Sequence, residues 1–469
     1  MKNLKKLLAA MLAVSMTFAL AACSDDDSED ASSHEDTVQV VSTDDIEPIA
    51  DGEETTLLWM ANYDLNPTSD DEKTVGLTLF EEKGGSIEWS RVTSSNQFTK
   101  LAAAVTSGKD VPDLFASGSF PYQVLQGFYQ PVDDVVDFDD PLWVDVKSTA
   151  DQYVLNGKHY VAPIEFSPAV YIFYDKNTIV EEGLDDPQDL YYAGEWDYDA
   201  MDDLMSEYVN NAEGDEVRYG INGYYAPSYI QQTGETLVMV DDDGTYYSNL
   251  DSAAIAKAEE RLYNWQKNGY VEASWIGSAA DAFNAGCLFY AMGSWAATGD
   301  AGPSSGESWG IVPVPSDPDY DGDLPLVSAT MTAYWWVKGS TKTDAVRCFY
   351  ECYRIAQTDE TYKQNVKDKW LEDNPNWTED DYDLMMELSD PDQNLMIFDP
   401  AYGVSALMGD DNSGFHSGES LANYLYKATS APDQTTGNIL TWTQTKETYS
   451  ATVESEVETL NESIASFTE

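Results

Sequence analysis

From Thr55 onward, short apolar runs alternate with stretches in which apolar residues recur every three or four positions. Thr56-Leu57-Leu58-Trp59-Met60, Ser86-Ile87-Glu88-Trp89 and Pro112-Asp113-Leu114-Phe115-Ala116 have the length and composition of strands. Between them the pattern predicts a helix over about Asp70 to Lys83 and a second one in which Phe98, Leu101, Ala102 and Val105 share a face. Ser95 stands where an N-cap belongs, and Gly108 stands where a left-handed C-terminal residue belongs. Strands alternating with helices at this spacing imply a parallel sheet covered on both faces. Such sheets bind ligands beyond the carboxyl ends of their strands, which here are Asn62-Tyr63, Thr93-Ser94 and Ser117-Gly118.

A second alternating set follows. Ala169-Val170-Tyr171-Ile172-Phe173-Tyr174 reads as a buried strand, and then come a helix near Tyr198 to Val209, a strand near Arg218 to Asn222 and a helix near Ser252 to Lys267 that stops at Gly269. Cys287-Leu288-Phe289-Tyr290-Ala291-Met292 is another strand. Trp309-Gly310-Ile311-Val312-Pro313-Val314-Pro315 reads as a crossing between two lobes, and Thr448 to Phe467 as an amphipathic helix. A chain of this length exceeds what one core organises, so two domains are expected.

Before Thr55 the pattern is different. Lys2, Lys5 and Lys6 precede an apolar run from Leu7 to Leu20, a basic n-region followed by an h-region of about 14 residues, too short to span a bilayer. Leu20-Ala21-Ala22-Cys23 resembles the lipobox of bacterial lipoproteins, so residues 1–22 read as a signal peptide and Cys23 as the lipid-attachment residue. Residues 24–54 hold no Lys or Arg and few large apolar side chains, and 23–54 is read as an acidic disordered tether. Loss of the three signal lysines takes the net charge from −61 to −64. Such a field excludes nucleic acid as a partner and favours a neutral or cationic ligand. Cys287, Cys348 and Cys352 are an odd set in an exported chain and read as buried free thiols; His34, His159 and His416 are isolated, which argues against a zinc site or a histidine-based triad.

Five stretches resemble the family-one extracellular solute-binding proteins of bacterial ABC importers, above all their sugar-binding members. They are Lys109-Asp110-Val111-Pro112-Asp113-Leu114-Phe115; Asn156-Gly157-Lys158-His159-Tyr160-Val161-Ala162-Pro163; Tyr174-Asp175-Lys176 with Gly194-Glu195-Trp196; Phe283-Asn284-Ala285-Gly286-Cys287 through Trp295; and Gly310-Ile311-Val312-Pro313-Val314-Pro315. The resemblance implies a two-lobed, hinge-linked α/β fold of the periplasmic-binding-protein type II. Residues 55–165 and 308–375 would form the N-lobe with the crossover, and 166–307 and 376–469 the C-lobe with C-terminal helices. It further implies a monomer anchored by lipid to the outer face of the cell membrane, where it captures a carbohydrate for an ABC permease, with no catalysis and no cofactor. Ser328-Ala329-Thr330-Met331-Thr332 departs from the glycine-rich turn that many members carry.

Sugars present apolar C–H faces and hydroxyl rims, so their sites join exposed aromatic rings to fixed polar groups. Trp295, after Gly293-Ser294 at a strand end, is the foremost candidate, and the matching family position stacks on sugar. Trp275, Tyr63 and Tyr224 follow, with Asn62, Glu165, Ser117 and Ser294 as polar partners. Tyr224-Tyr225 also raises ferric-ion binding through paired phenolates. Asp317, Asp319, Asp321 and Asp323 fit the first half of a calcium loop, although Ser328 stands where its last glutamate belongs. A surface glycan-binding lipoprotein without transport and a two-carboxylate glycosidase are the remaining alternatives.

Overall fold

The first apolar run folds as the central strand of a sheet, because both of its faces are covered. In the computed structural model, which describes residues 43–67, 73–410, 419–432 and 437–468, β1 (Thr56–Ala61) sends Leu57, Trp59 and Ala61 into one apolar cluster and Met60 into another on the opposite side. The first helix, α1 (Val75–Glu82), begins at Thr74, whose hydroxyl accepts from Leu77 N; it is shorter than the periodicity suggests, and positions 70–72 lie outside the described residues. β2 (Ser86–Arg91) pairs in parallel with β1. α2 (Gln97–Ser107) has Asn96 rather than Ser95 at its cap and ends at Gly108, whose φ of 63° only glycine adopts freely. β3 (Leu114–Phe115) pairs in parallel on the other side of β1, and the short α3 (Tyr122–Leu125) follows it.

β4 (Pro163–Pro168) leaves this lobe. The second lobe is built on β5 (Tyr171–Asp175), α4 (Tyr198–Asn210), β6 (Tyr219–Gly223), α5 (Ala226–Gln231), α6 (Ala253–Lys267), β7 (Cys287–Met292) and β8 (Trp309–Pro313). Its sheet order is β8-β5-β7-β6. Only β6 and β7 run parallel; β5 is antiparallel to both neighbours, so the sheet is mixed rather than parallel. Asp197 caps α4 and Ser252 caps α6 with their side chains. Trp196 is buried, its indole N–H donating to Pro313 O at 2.8 Å.

The return crossing differs from the sequence expectation. Trp309 to Pro313 is the edge strand of the second sheet and does not leave its lobe. The crossing is β9 (Leu326–Ala333), antiparallel to β4, which runs on into β10 (Trp335–Trp336) on the edge of the first sheet. An apolar run announces burial without naming its sheet, so Trp309 to Pro313 reads as a crossing although β5 is its partner. Trp335 and Trp336 are both buried, one in each cluster flanking the first sheet. α7 (Thr343–Thr358) packs on α1. Then come α8 (Glu379–Leu388), β11 (Leu395–Ile397) beside β9, α9 (Leu421–Lys427) and the 25-residue α10 (Trp442–Ser466), which starts before the expected Thr448.

The last part of the expected tether is packed. Ile46 is 3% exposed, Lys83 Nζ donates to Thr43 O and Ile46 O, and Asp344 accepts from Ala50 N. Burying one isoleucine contributes about 1.5–3 kcal/mol, enough to order a short segment once hydrogen bonds hold its ends. Cys287, Cys348 and Cys352 are buried and free. Among the described residues no helix is long and apolar enough to cross a membrane.

Candidate functional site

β1, β2 and β3 are parallel, so their carboxyl ends share one edge. Asn62 and Tyr63 stand beyond β1 and are exposed. Asn62 Nδ2 reaches Ser94 Oγ, beyond β2, at 3.4 Å. Tyr63 keeps 47% of its surface free while its ring meets Trp59 edge-on at 5.5 Å, and its carbonyl accepts from the Trp59 indole. Ser117, beyond β3, is half-buried and offers its carbonyl to Tyr129 OH. Gly118 lies flat against Trp335, where a Cβ would stand 1.9 Å from the indole, so no other residue fits there.

In the second lobe the parallel pair β6 and β7 ends the same way. Gly223 has φ 106° and a Cβ there would meet Ala291 O at 2.0 Å, which makes glycine obligatory and lets Tyr224 N donate to that carbonyl at 2.7 Å. The buried Asn222 side chain holds the following loop by donating to Glu272 O and Ser274 O at 2.7 and 2.9 Å. Trp275 is thereby set beside Tyr224, with ring centroids 4.9 Å apart. Beyond β7, Ala296 and Ala297 are buried and pin a single helical turn that presents Ser294 and Trp295. Trp295 is 55% exposed, Trp275 59% and Tyr224 49%, so none of the three is a core residue.

Beside Glu165, the hinge strands supply hydroxyl groups that the sequence reading missed. Register pairs Thr332 with Glu165 and Thr330 with Ser167. Thr332 Oγ1 donates to Glu165 Oε1 at 2.9 Å, and the Ser167 and Thr330 hydroxyls lie 3.1 Å apart. Ile164 and Phe166 occupy the opposite, buried face. Glu165 is open to solvent yet hemmed in by protein: desolvation raises its pKa, against the Thr332 hydrogen bond and the Arg354 guanidinium, which lower it. Tyr63 feels this carboxylate, its own pKa being raised by burial first and by Glu165 second. The Tyr63 hydroxyl and the Glu165 carboxylate are therefore near enough to interact electrostatically. The period-2 pattern of Ile164-Glu165-Phe166-Ser167 was the available signal for a half-buried strand.

Other expectations fare differently. Tyr225 is buried while its neighbour Tyr224 is exposed against Trp275, so the doublet does not form a pair of phenolate ligands. In the acidic turn Asp319 pairs with Lys257, and among the described residues no three His, Cys, Asp or Glu side chains converge. Asp317 and Asp319 instead border a groove of about 560 Å3 between α4 and α6, away from the strand ends, where Arg261 pairs with Asp199 and Asp202. Cys23 and His416 lie outside the described residues.

Exposed aromatic rings thus stand at the carboxyl ends of strands in both lobes, and the strands that connect the lobes bear a carboxylate and three hydroxyls. Residues 67–353 match the family model described as bacterial extracellular solute-binding protein. No curated protein matches the chain in sequence. Among solved structures, an ABC substrate-binding protein from Listeria monocytogenes in complex with cycloalternan is 14% identical, with a TM-score of 0.60 over 88% of this chain and 100% of that one. A cyclo/maltodextrin-binding protein complexed with maltotetraose is 16% identical, with a TM-score of 0.57 over 90% and 100%. A Mycobacterium tuberculosis protein in complex with glycerophosphocholine is 15% identical, with a TM-score of 0.57 over 87% and 99%. With the two-lobed fold in place and the family model spanning more than half of its length, the chain belongs to the bacterial extracellular solute-binding proteins.

Proposed function

We propose that the chain captures a neutral saccharide at this site and delivers it to an ABC permease while tethered to the membrane through a lipid on Cys23. The observation that carries the reading is the set of four half-exposed aromatic rings, Tyr63, Tyr224, Trp275 and Trp295, at the strand ends, with Glu165, Ser167, Thr330 and Thr332 on the hinge strands. Aromatic faces cover sugar C–H surfaces, and hydroxyls and a carboxylate fix the ring's rim. Structural neighbours in complex with cycloalternan and maltotetraose support the ligand class. Family membership supports the binding role, with no turnover.

A second reading has a specific observation behind it. Aromatic walls beside Glu165, in a chain of net charge −61, also suit a quaternary ammonium group, and one neighbour is in complex with glycerophosphocholine. Calorimetry with maltotetraose, with a panel of shorter and cyclic saccharides and with glycerophosphocholine separates the two. Chromatography of the recovered ligand tests whether it is unaltered. Saccharide binding without products supports the proposal; hydrolysis, or binding of glycerophosphocholine alone, overturns it.

A further inference from the structure

We infer that the last turn of α10 is a strap between the lobes that holds them in the arrangement of this structure. The helix is rooted in the second lobe: Trp442, Val453, Val457 and Leu460 are buried in that lobe's core. Just before its end, Asn461 fixes it to Tyr246 twice, accepting from Tyr246 N at 3.0 Å and donating to Tyr246 O at 2.8 Å. One turn further on the environment changes. Ile464 packs against the second lobe's core and also against the first lobe's cluster of Val124, Tyr160 and Trp335. Phe467 packs on the first-lobe cluster, and its carbonyl accepts from Asn156 Nδ2 at 3.0 Å.

A second contact between the lobes lies before α9. Ser119 Oγ donates to Tyr402 O at 3.0 Å, and Gly403 approaches Phe120 O so closely that a Cβ would stand 1.7 Å from it. Leu125 of α3, like Ile464, touches both clusters. Strands β4 and β9 by themselves would let the lobes rotate about the hinge. Rotation that parts the lobes on this flank exposes Ile464 and Phe467 and breaks the Asn156 bond, so the strap biases the unliganded protein toward the lobe arrangement in which these contacts are made.

The test uses the full mature chain with Cys23→Ser, spin-labelled at Ser107→Cys and Asn268→Cys, two exposed positions in different lobes, since Cys287, Cys348 and Cys352 are buried. Distance distributions are recorded without ligand. Ending the chain after Glu462 should lower the population with the lobe separation of this structure, relative to all others, about tenfold, equivalent to about 1.4 kcal/mol. Ile464→Ala with Phe467→Ala, which keeps the helix at full length, should do the same, and Phe467→Leu should restore most of the original distribution. If the truncated chain does not fold, the double variant decides. An unchanged distribution in a variant that still unfolds cooperatively overturns the inference, and so does an equal shift in Phe467→Leu and Phe467→Ala.

Discussion

Trp295 leaves 55% of its surface in water although it follows a fully buried strand, so a ligand that covered the indole would remove apolar area from water. Stacking on a sugar face should contribute on the order of 1–3 kcal/mol. Trp295→Ala is therefore expected to weaken saccharide binding by about one to two factors of ten. The same change should alter unliganded unfolding by only about 0.5 kcal/mol, the scale of surface substitutions. Calorimetry and denaturant unfolding on one variant check both numbers, and a large stability loss with intact affinity would return the indole to a packing role. Asp399 is the opposite kind of residue, a carboxylate serving the fold. Tyr426 OH and Gln231 Nε2 donate to its Oδ2, Ala401 N donates to Oδ1, and burial raises its pKa to about 6. A raised carboxyl pKa means the folded state holds the proton longer than the unfolded chain does. Its contribution is therefore most favourable below about pH 4 and is lost as pH rises toward 6, by at most about 3 kcal/mol. The stability advantage of the wild type over Asp399→Asn should shrink across that window. Melting curves of both proteins from pH 4 to 7 check it, and a constant difference would mean that Asp399 titrates normally.

At the scale of elements, the period of each run was legible and the pairing was not. Cys287–Met292 forms over the expected residues because six apolar residues in a row must be covered on both faces, and Ser252 and Gly269 bound α6 through local hydrogen bonds and a left-handed turn. Nothing local states that Thr332 lies opposite Glu165, 167 positions earlier in the chain, so the hinge row of hydroxyls stayed hidden although its alternation was visible. The crossing was misplaced for the same reason: Ile311 and Val312 are as apolar as a crossing requires, but β5 is their partner. The exposure of Tyr63, Tyr224, Trp275 and Trp295 was legible because strand ends and polar loops can be read locally. What the sequence could not supply is how Trp275 is held. Asn222 does this from β6 through two bonds to the 272–274 backbone. Removing them in Asn222→Ala leaves two carbonyls without their donor and should cost about 1–3 kcal/mol. Hydrogen exchange should quicken at Glu272 to Ile276 while β7 keeps its protection. Equal quickening in both would mean that Asn222 supports the whole sheet and does not position this loop.

For the whole molecule, 85 acidic residues against 24 basic ones keep the protein soluble and repel anions, and they also remove electrostatics as a means of holding it to an anionic membrane. If the protein stays at the membrane, something hydrophobic must hold it there. Among the described residues no helix can span a bilayer, so the proposal rests on the Leu20-Ala21-Ala22-Cys23 sequence and the lipid it would carry. The chain that follows meets the first lobe at a defined place, where Lys83 holds Thr43 and Ile46 and Arg347 donates to Glu47 O. Thr43 lies twenty positions after Cys23, and a chain of that length spans at most about 70 Å. The folded part would thus stay within roughly its own diameter of the surface, with the α1 and α7 side of the first lobe nearest the tether. A lipid anchor of more than one acyl chain resists dilution and salt, whereas a surface-charge attachment is released by salt. Cys23→Ser is therefore expected to move the protein from the membrane fraction to the medium at low and high salt alike. The wild type should leave the membrane only in detergent. Fractionation with immunodetection reads the outcome, and retention of Cys23→Ser protein at high salt would show that another segment is the anchor.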